Sequence, residues 1–121
     1  MIRNITIHEL SIVLSILEIA KEEAERQQAK QVQAIYLKVG QLSGVVKEAL
    51  LFSYKLACEG TIFQTSQLVI EELPVIVYCY GCQEKKTLIS IQDFSCPTCK
   101  TPSFEIVQGR ELEIVALEIQ T

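Results

Sequence analysis

Two cysteine pairs constrain this chain more than any other feature of its sequence. They read CYGC at 79–82 and CPTC at 96–99, with 13 residues between them. A C-x2-C pair is typical of a tight turn that presents two thiolates to one metal ion, and four thiolates in a tetrahedral arrangement favour Zn²⁺. We therefore predict a zinc-ribbon-like site whose ligands are Cys79, Cys82, Cys96 and Cys99.

The predicted role of this zinc is structural. Four cysteine ligands leave no open coordination position for a substrate or an activated water. Two matched pairs argue against a redox dithiol, which needs one reactive pair, although spacing alone does not distinguish zinc from a rubredoxin-type iron site. Gly81 would allow the positive φ that the first turn can require. Zinc binding would supply the folding energy of residues 75–104, about 10–16 kcal/mol in small zinc modules.

Charge and composition exclude several classes of protein. The 121-residue chain has a net charge of −4, which gives no support to nucleic-acid binding. Lys85, Lys86 and Lys100 would offset the negative charge of the zinc site, and the alternative, a small basic surface for RNA, is weak in an acidic chain. One histidine, no glycine-rich phosphate loop and no Ser/His/Asp set give an enzyme little support.

The location predicted from the sequence is cytoplasmic. The apolar segment from Leu10 to Ala20 is about half the roughly 20 residues of a membrane span, and Glu18 interrupts it. Five cysteines, an odd number, argue against a secreted disulfide framework. The fifth, Cys58, falls on a helical pattern and is predicted to be a core residue.

Hydrophobic periodicity predicts two helices and several strands. Apolar residues recur at helical spacing at Leu10, Val13, Leu17, Ala20 and Ala24, with Ile12, Ile16 and Ile19 widening the stripe. Strand alternation follows over 32–40, a turn over 40–44, a second helix over about 46–58 that Glu59 and Gly60 stop, and another strand over 67–73.

The last segment, ELEIVALEI, predicts how the chain is organised. It alternates strongly, and its apolar phase shifts near 115–117, which indicates a bulge or burial of both faces. A strand this apolar is predicted to return to the first sheet. The predicted fold is therefore α/β (α+β), a small mixed sheet with two helices formed by residues 1–74 together with 105–121, and an inserted zinc-binding domain at 75–104.

The only histidine lies in a predicted helix start. Thr6 and Glu9 fit a capping box, with Thr6 as the N-cap residue, and Ile5 and Leu10 fit the positions of a hydrophobic staple. This pattern places His8 in the first turn and gives it a structural explanation that needs no ligand.

Several segments, in order, resemble the HypA/HybF family of nickel metallochaperones for [NiFe] hydrogenase maturation. They are HELSIVLSILEIA at 8–20, VGQLSGVVKEALLFSY at 39–54, EGT at 59–61, the two cysteine pairs and GRELEIVALEI at 109–119. The resemblance implies a small α/β nickel-binding domain with an inserted zinc domain. It also implies work with a maturation GTPase and the hydrogenase large subunit, while the sequence does not identify which hydrogenase, or urease, is served.

The resemblance implies that His8 supplies a nickel imidazole and that Glu9 contributes its backbone amide and supports the site. Chains of the family begin Met-His-Glu, and the terminal amine is a further donor. Here Ile7 stands where that methionine would be and six residues precede it. We expect a functional start equivalent to position 7. With the longer chain, nickel would need other donors, from a folded-back amine or from a second subunit in a homodimer.

Two functions therefore follow from the sequence. The first is a non-enzymatic nickel carrier with Ni²⁺ as transient cargo and Zn²⁺ as structural cofactor. The second is a zinc-ribbon module that binds a protein or RNA partner and carries no nickel, which the capping box and the displaced N-terminus favour.

Overall fold

The computed structural model describes residues 4–102 and 105–121, with side chains from His8 onward. Its helices and strands are α1 (Asn4–Arg26), β1 (Gln31–Gly40), α2 (Lys47–Cys58), β2 (Gln67–Leu73), β3 (Ile76–Cys79), β4 (Glu84–Thr87), β5 (Ile106–Gln108) and β6 (Leu112–Gln120). The strands form two three-stranded sheets, in the orders β2-β1-β6 and β4-β3-β5. Two helices, small sheets and a four-cysteine module confirm the predicted fold class. Among the helices described, none has the length and hydrophobicity needed to cross a bilayer.

The chain divides into two compact units. The first contains the described residues up to Leu37, then Val45–Ile70 and Ile114–Thr121, and the second contains Lys38–Gly44 and Glu71–Glu113. The predicted zinc-binding segment, 75–104, lies wholly within the second unit, which extends beyond it on both sides. The exact domain boundaries therefore stay a prediction.

The core of the first unit confirms most of the predicted helical stripe. Five apolar side chains of α1 are buried at intervals of one to four residues, namely Val13, Ile16, Leu17, Ala20 and Ala24. Leu10 and Ile19 belong to the same predicted stripe but are exposed, because the apolar residues cover more of the helix circumference than one packed face can bury.

Helix α1 packs against α2, whose last residue, Cys58, is buried as predicted. Burial raises the pKa of the Cys58 thiol, which makes it unreactive.

The predicted capping box is wrong. Helix α1 already begins at Asn4, so Thr6 lies within the helix and is not its N-cap residue. The Glu9 side chain does not fold back on the helix start, because its carboxylate accepts a hydrogen bond from the backbone N–H of Val46. The predicted contact of Ile5 with Leu10 falls outside the side chains that the structure describes.

The second unit has a small apolar core. Val75, Val77 and Leu88 are buried, and Leu42, Phe94 and Ile106 pack against them. Strand β3 pairs antiparallel with β4 in a register that sets Ile76 opposite Thr87 and Cys79 opposite Glu84. So few buried side chains supply little hydrophobic free energy, and domains of this kind usually need a metal or disulfides to fold.

The turn at 40–44 is fixed by a close backbone approach inside the second unit. A Cβ atom on Gly40 would lie 2.1 Å from the carbonyl oxygen of Gly109, so only glycine fits at this position. The Leu42 N–H donates to the same oxygen at 2.7 Å.

Strand β6 returns to the first sheet, as predicted, and lies at its edge. The Lys30 N–H donates to the carbonyl of Gln120 at 2.8 Å, and the Gly40 N–H donates to that of Glu111 at 2.8 Å. The predicted burial of both faces of β6 is wrong, because every residue of this strand is exposed or only partly buried. An edge strand has one neighbour, so less of its surface is covered than that of a central strand such as β1. The predicted bulge near 115–117 stays a prediction.

Candidate metal centres

The four predicted zinc ligands converge on one point. Cys79 ends β3, Cys82 follows it in a tight turn, and Cys96 and Cys99 belong to the second turn. All four Sγ atoms lie within 4.8 Å of one another, with 3.5 Å between Cys79 and Cys99 and 3.9 Å between Cys82 and Cys96. Tetrahedral Zn²⁺ with Zn–S bonds of about 2.3 Å requires S···S distances of about 3.8 Å. The donor set therefore fits a zinc ion.

Backbone N–H groups support the sulfurs in both turns. The Cys82 N–H donates to the Cys79 Sγ at 3.3 Å, and the Thr98 and Cys99 N–H groups donate to the Cys96 Sγ at 3.4 and 3.5 Å. Such bonds stabilise thiolates and fix the direction in which each sulfur points. They depend on the local C-x2-C spacing, which is why the sequence alone predicts this cluster.

The expected positive φ of the first cysteine turn does not occur at Gly81, so this expectation is wrong. Positive φ occurs at Gln83 (58°) and Lys100 (65°), the residue that follows each pair. The chain reverses there, after the second sulfur of the pair has reached the cluster. A Cβ atom added at Gly81 would lie 3.5 Å from the Cys99 Sγ, which is an ordinary van der Waals distance.

The thiols of the cluster have unequal acidities. Hydrogen bonds from the side chain and backbone of Thr101 lower the pKa of Cys99 to about 6, and the Cys99 backbone N–H lowers the pKa of Cys96. The Cys99 sulfur, through its hydrogen bond, raises the pKa of Cys82 to about 12. The protein thus stabilises some thiolates, but it needs a cation to ionise all four.

Of the three lysines near the cluster, Lys86 is bound to a carboxylate. Its Nζ lies 2.5 Å from Glu84 Oε1, and this hydrogen bond raises the pKa of Lys86. The sulfurs of Cys82 and Cys96 raise it further through their charge. Lys86 therefore interacts with both Glu84 and the cluster, and the offset of the cluster's charge by the three lysines stays a prediction.

His8 and Glu9 lie near the start of α1 in different environments. The His8 side chain is 55% exposed, whereas the Glu9 side chain is completely buried. The His8 Nδ1 lies 3.8 Å from the Glu9 Oε2, too far for a hydrogen bond. The imidazole is therefore largely exposed and makes no hydrogen bond to the Glu9 carboxylate.

The buried Glu9 carboxylate connects the two helices of the first unit. Its Oε2 accepts a hydrogen bond of 2.9 Å from the N–H of Val46, the N-cap residue of α2. Among the residues that the structure describes, its Oε1 has no hydrogen-bond partner. Sequence reasoning missed this role because the partner lies 37 residues away and no local pattern identifies it.

The backbone amides at this site are engaged in the helix. In α1 the N–H of residue i donates to the carbonyl of residue i−4, so the N–H groups of His8 and Glu9 are used within Asn4–Arg26. An amide nitrogen binds a metal only after it gives up its hydrogen. The helical form of α1 therefore leaves the His8 imidazole, and not the Glu9 amide, free for a metal ion.

We predict different effects for two substitutions of Glu9. Glu9→Leu removes the acceptor of the Val46 N–H, a partly buried hydrogen bond, so we expect a loss of about 0.5–1.5 kcal/mol in the free energy of unfolding. Glu9→Gln keeps an acceptor for Val46 and removes a buried carboxylate, so we expect unchanged or higher stability. Urea unfolding of zinc-loaded protein measures both. Equal losses for the two variants would show that the hydrogen bond to Val46 does not stabilise the protein.

The sequence matches one family model along nearly its whole length. The model is described as "Hydrogenase/urease nickel incorporation, metallochaperone, hypA", and it covers residues 7–119. The chain is 46% identical over 111 residues to hydrogenase maturation factor HypA of Chloroflexus aurantiacus, covering 92% of this chain and 97% of that protein. It is 42% identical over 113 residues to hydrogenase maturation factor HypA of a Roseiflexus species, covering 93% of this chain and 92% of that protein.

Two solved structures share the fold. The solution structure of the Ni metallochaperone HypA from Helicobacter pylori superimposes with a TM-score of 0.63 at 22% identity, covering 93% of this chain and 97% of that one. A second solution structure, of HypA protein, gives a TM-score of 0.68 at 23% identity, covering 93% of this chain and 96% of that one. At these identities the likeness supports the fold.

Proposed function

The chain belongs to the HypA family of nickel-incorporation metallochaperones, and from this premise we propose that it carries Ni²⁺ to an [NiFe] hydrogenase during maturation. The observation that carries the proposal is the family match over 7–119, which includes His8, Glu9 and all four clustered cysteines. The exposed His8 imidazole, in a protein with no other histidine, supports it as the nickel ligand.

Zinc is proposed as the resident ion of the second unit. Cys79, Cys82, Cys96 and Cys99 would hold it, since their sulfur spacing suits tetrahedral zinc and their number closes the coordination shell. Bound zinc would neutralise the thiolates and supply folding free energy that the small core lacks. This role leaves nickel to the first unit.

Nickel binding is proposed to involve opening of the first turns of α1. Ni²⁺ favours nitrogen donors in a plane, and a single imidazole is too few. The amides of His8 and Glu9 become donors only when their helical hydrogen bonds break. Helix ends open at low free-energy cost, so loading at this end is accessible, and the buried Glu9 side chain would keep His8 in place.

The partners follow from the same premise. Family membership implies hydrogenase-related partners, and we propose a maturation GTPase and the hydrogenase large subunit, with no catalytic activity in the chain itself. We also propose a cytoplasmic location, because a cluster of four reduced thiolates is typical of a reducing compartment. The alternative is a zinc-ribbon interaction module without nickel, which the helical amides of α1 favour.

A transfer experiment tests whether the protein delivers nickel directly to the hydrogenase large subunit. Nickel-loaded, zinc-loaded protein is mixed with nickel-free hydrogenase large subunit and the GTPase, in the presence of a chelator that captures free Ni²⁺. We expect nickel in the large subunit after separation, and less from an equal amount of nickel salt. His8→Ala protein treated in the same way should deliver no more than the salt. If the chelator takes all the nickel from the unsubstituted protein, direct delivery is wrong.

A further inference from the structure

The four clustered cysteines differ in their exposure to solvent. Cys79 and Cys96 are buried and Cys82 is partly buried, whereas Cys99 is exposed. A cysteine binds zinc as a thiolate, which is also the form that reacts with oxidants, and its susceptibility follows its exposure. Cys99 is therefore the position at which a small oxidant in solution first meets the cluster.

A sulfur of the other cysteine turn lies in contact with Cys99. The Sγ of Cys79 is 3.5 Å from the Sγ of Cys99, although the two residues are 20 positions apart in the chain. They belong to different C-x2-C pairs, so the spacing of the sequence gives no signal for their contact. The buried Cys79 sulfur is thus placed to react with Cys99 once Cys99 is oxidised, without meeting solvent itself.

The glycine at position 81 leaves these two sulfurs uncovered. The φ of Gly81 lies outside the left-handed region, so its backbone conformation does not require glycine. Space does not require it either, because an added Cβ atom would lie 3.5 Å from the Cys99 Sγ and 3.8 Å from the Cys79 Sγ, both ordinary contacts. The equivalent position of the second turn holds Thr98. The missing side chain at Gly81 therefore opens the approach to this pair of sulfurs.

We propose that Cys99 is a site of oxidation by peroxides and that it then forms a disulfide with Cys79. The Cys99 thiolate attacks one peroxide oxygen, the O–O bond breaks, and the released hydroxide takes up a proton to become water. The Cys79 thiolate then attacks the sulfur of the Cys99 sulfenic acid, the S–O bond breaks, and a second water forms. One hydrogen peroxide and two protons thus convert two thiolates into one disulfide and two waters.

The disulfide would dismantle the proposed zinc site, on which this inference rests. Only Cys82 and Cys96 would remain as thiolates, and two ligands do not make the four-coordinate site that structural zinc requires. The apolar core of the second unit is small, so the unit unfolds when the cluster no longer holds zinc. Thiol reductants reverse a disulfide. Peroxide would therefore act as a reversible switch on the folding of the second unit.

Peroxide treatment of the full-length, zinc-loaded protein tests the switch. A colorimetric chelator measures released zinc, and mass spectrometry of peptides maps the disulfide. We expect one zinc released per Cys79–Cys99 link, a reduced Cys58 because that thiol is buried, and recovery after a dithiol reductant and zinc are added. Gly81→Ala should release zinc several-fold more slowly, because its methyl group covers both sulfurs. Thr98→Val, the matched control, keeps the side-chain shape in the second turn and should react at the unsubstituted rate.

Zinc content and amide NMR spectra before oxidation establish that each variant is folded, and Gly81→Ser replaces Gly81→Ala if the latter is not. A protein without zinc before treatment would contradict the zinc site, and the disulfide map would still decide where oxidation occurs. A first link between Cys82 and Cys96, irreversible oxidation of Cys99, or an unchanged rate in Gly81→Ala would overturn the proposal.

Discussion

Replacing Cys96 with serine is expected to release zinc and unfold the second unit. Cys96 is fully buried and its Sγ accepts two backbone hydrogen bonds, so a hydroxyl at this position neither binds zinc well nor reproduces the turn. Structural zinc supplies about 10–16 kcal/mol in small modules. The unit's own core of Val75, Val77 and Leu88 is too small to replace that free energy.

The measurement is zinc per chain by elemental analysis, together with amide NMR signals of the second unit. The unsubstituted protein should contain one zinc per chain, and Cys96→Ser well below one, with residues 75–104 unfolded and the first unit retained but weakened. Cys58→Ser is the matched control, because Cys58 is buried in the first unit and is not one of the four clustered cysteines. It should keep its zinc. A full equivalent of zinc in Cys96→Ser would refute the four-thiolate site.

The second large effect concerns the residues before His8. A variant that lacks residues 1–6 and starts with methionine in place of Ile7 brings a terminal amine beside His8 and removes the first turn of α1. Both changes favour nickel binding, because the terminal amine and the freed backbone amides add nitrogen donors. We expect a nickel dissociation constant at least about tenfold lower than that of the longer chain, a difference of about 1.4 kcal/mol in binding free energy.

Calorimetric titration of the two zinc-loaded proteins with Ni²⁺ gives this ratio directly. The same shortened chain with His8→Ala should lose the gain, which separates a chelate containing His8 from binding at the new amine alone. If the longer and shorter chains bind nickel alike, the terminal amine is not a ligand. His8 would then be completed by donors from a second subunit or from a partner.

Local patterns predicted most of the fold. The stripe of α1, the alternation of β1 and the stop of α2 at Glu59 and Gly60 depend on residues a few positions apart, so periodicity was sufficient. The cysteine cluster was predictable for the same reason, because each turn positions its own two sulfurs.

What the sequence did not predict depends on contacts over long distances in the chain. The capping box failed because the Glu9 carboxylate is held by Val46, 37 residues away. Burial of both faces of β6 failed because the strand lies at an edge, which alternation alone cannot tell from a central position. The approach of Gly40 to Gly109 likewise has no local signal.

We propose that this chain carries nickel through His8 while zinc occupies the cysteine cluster. Nickel titration of the zinc-loaded full chain, with His8→Ala beside it, tests that claim most directly. We predict that the unsubstituted protein binds Ni²⁺ at a stoichiometric site without losing its zinc. The His8→Ala protein should lose this stoichiometric binding. Equal, weak binding by both proteins would contradict the account and leave the zinc-ribbon interaction module as the function of the chain.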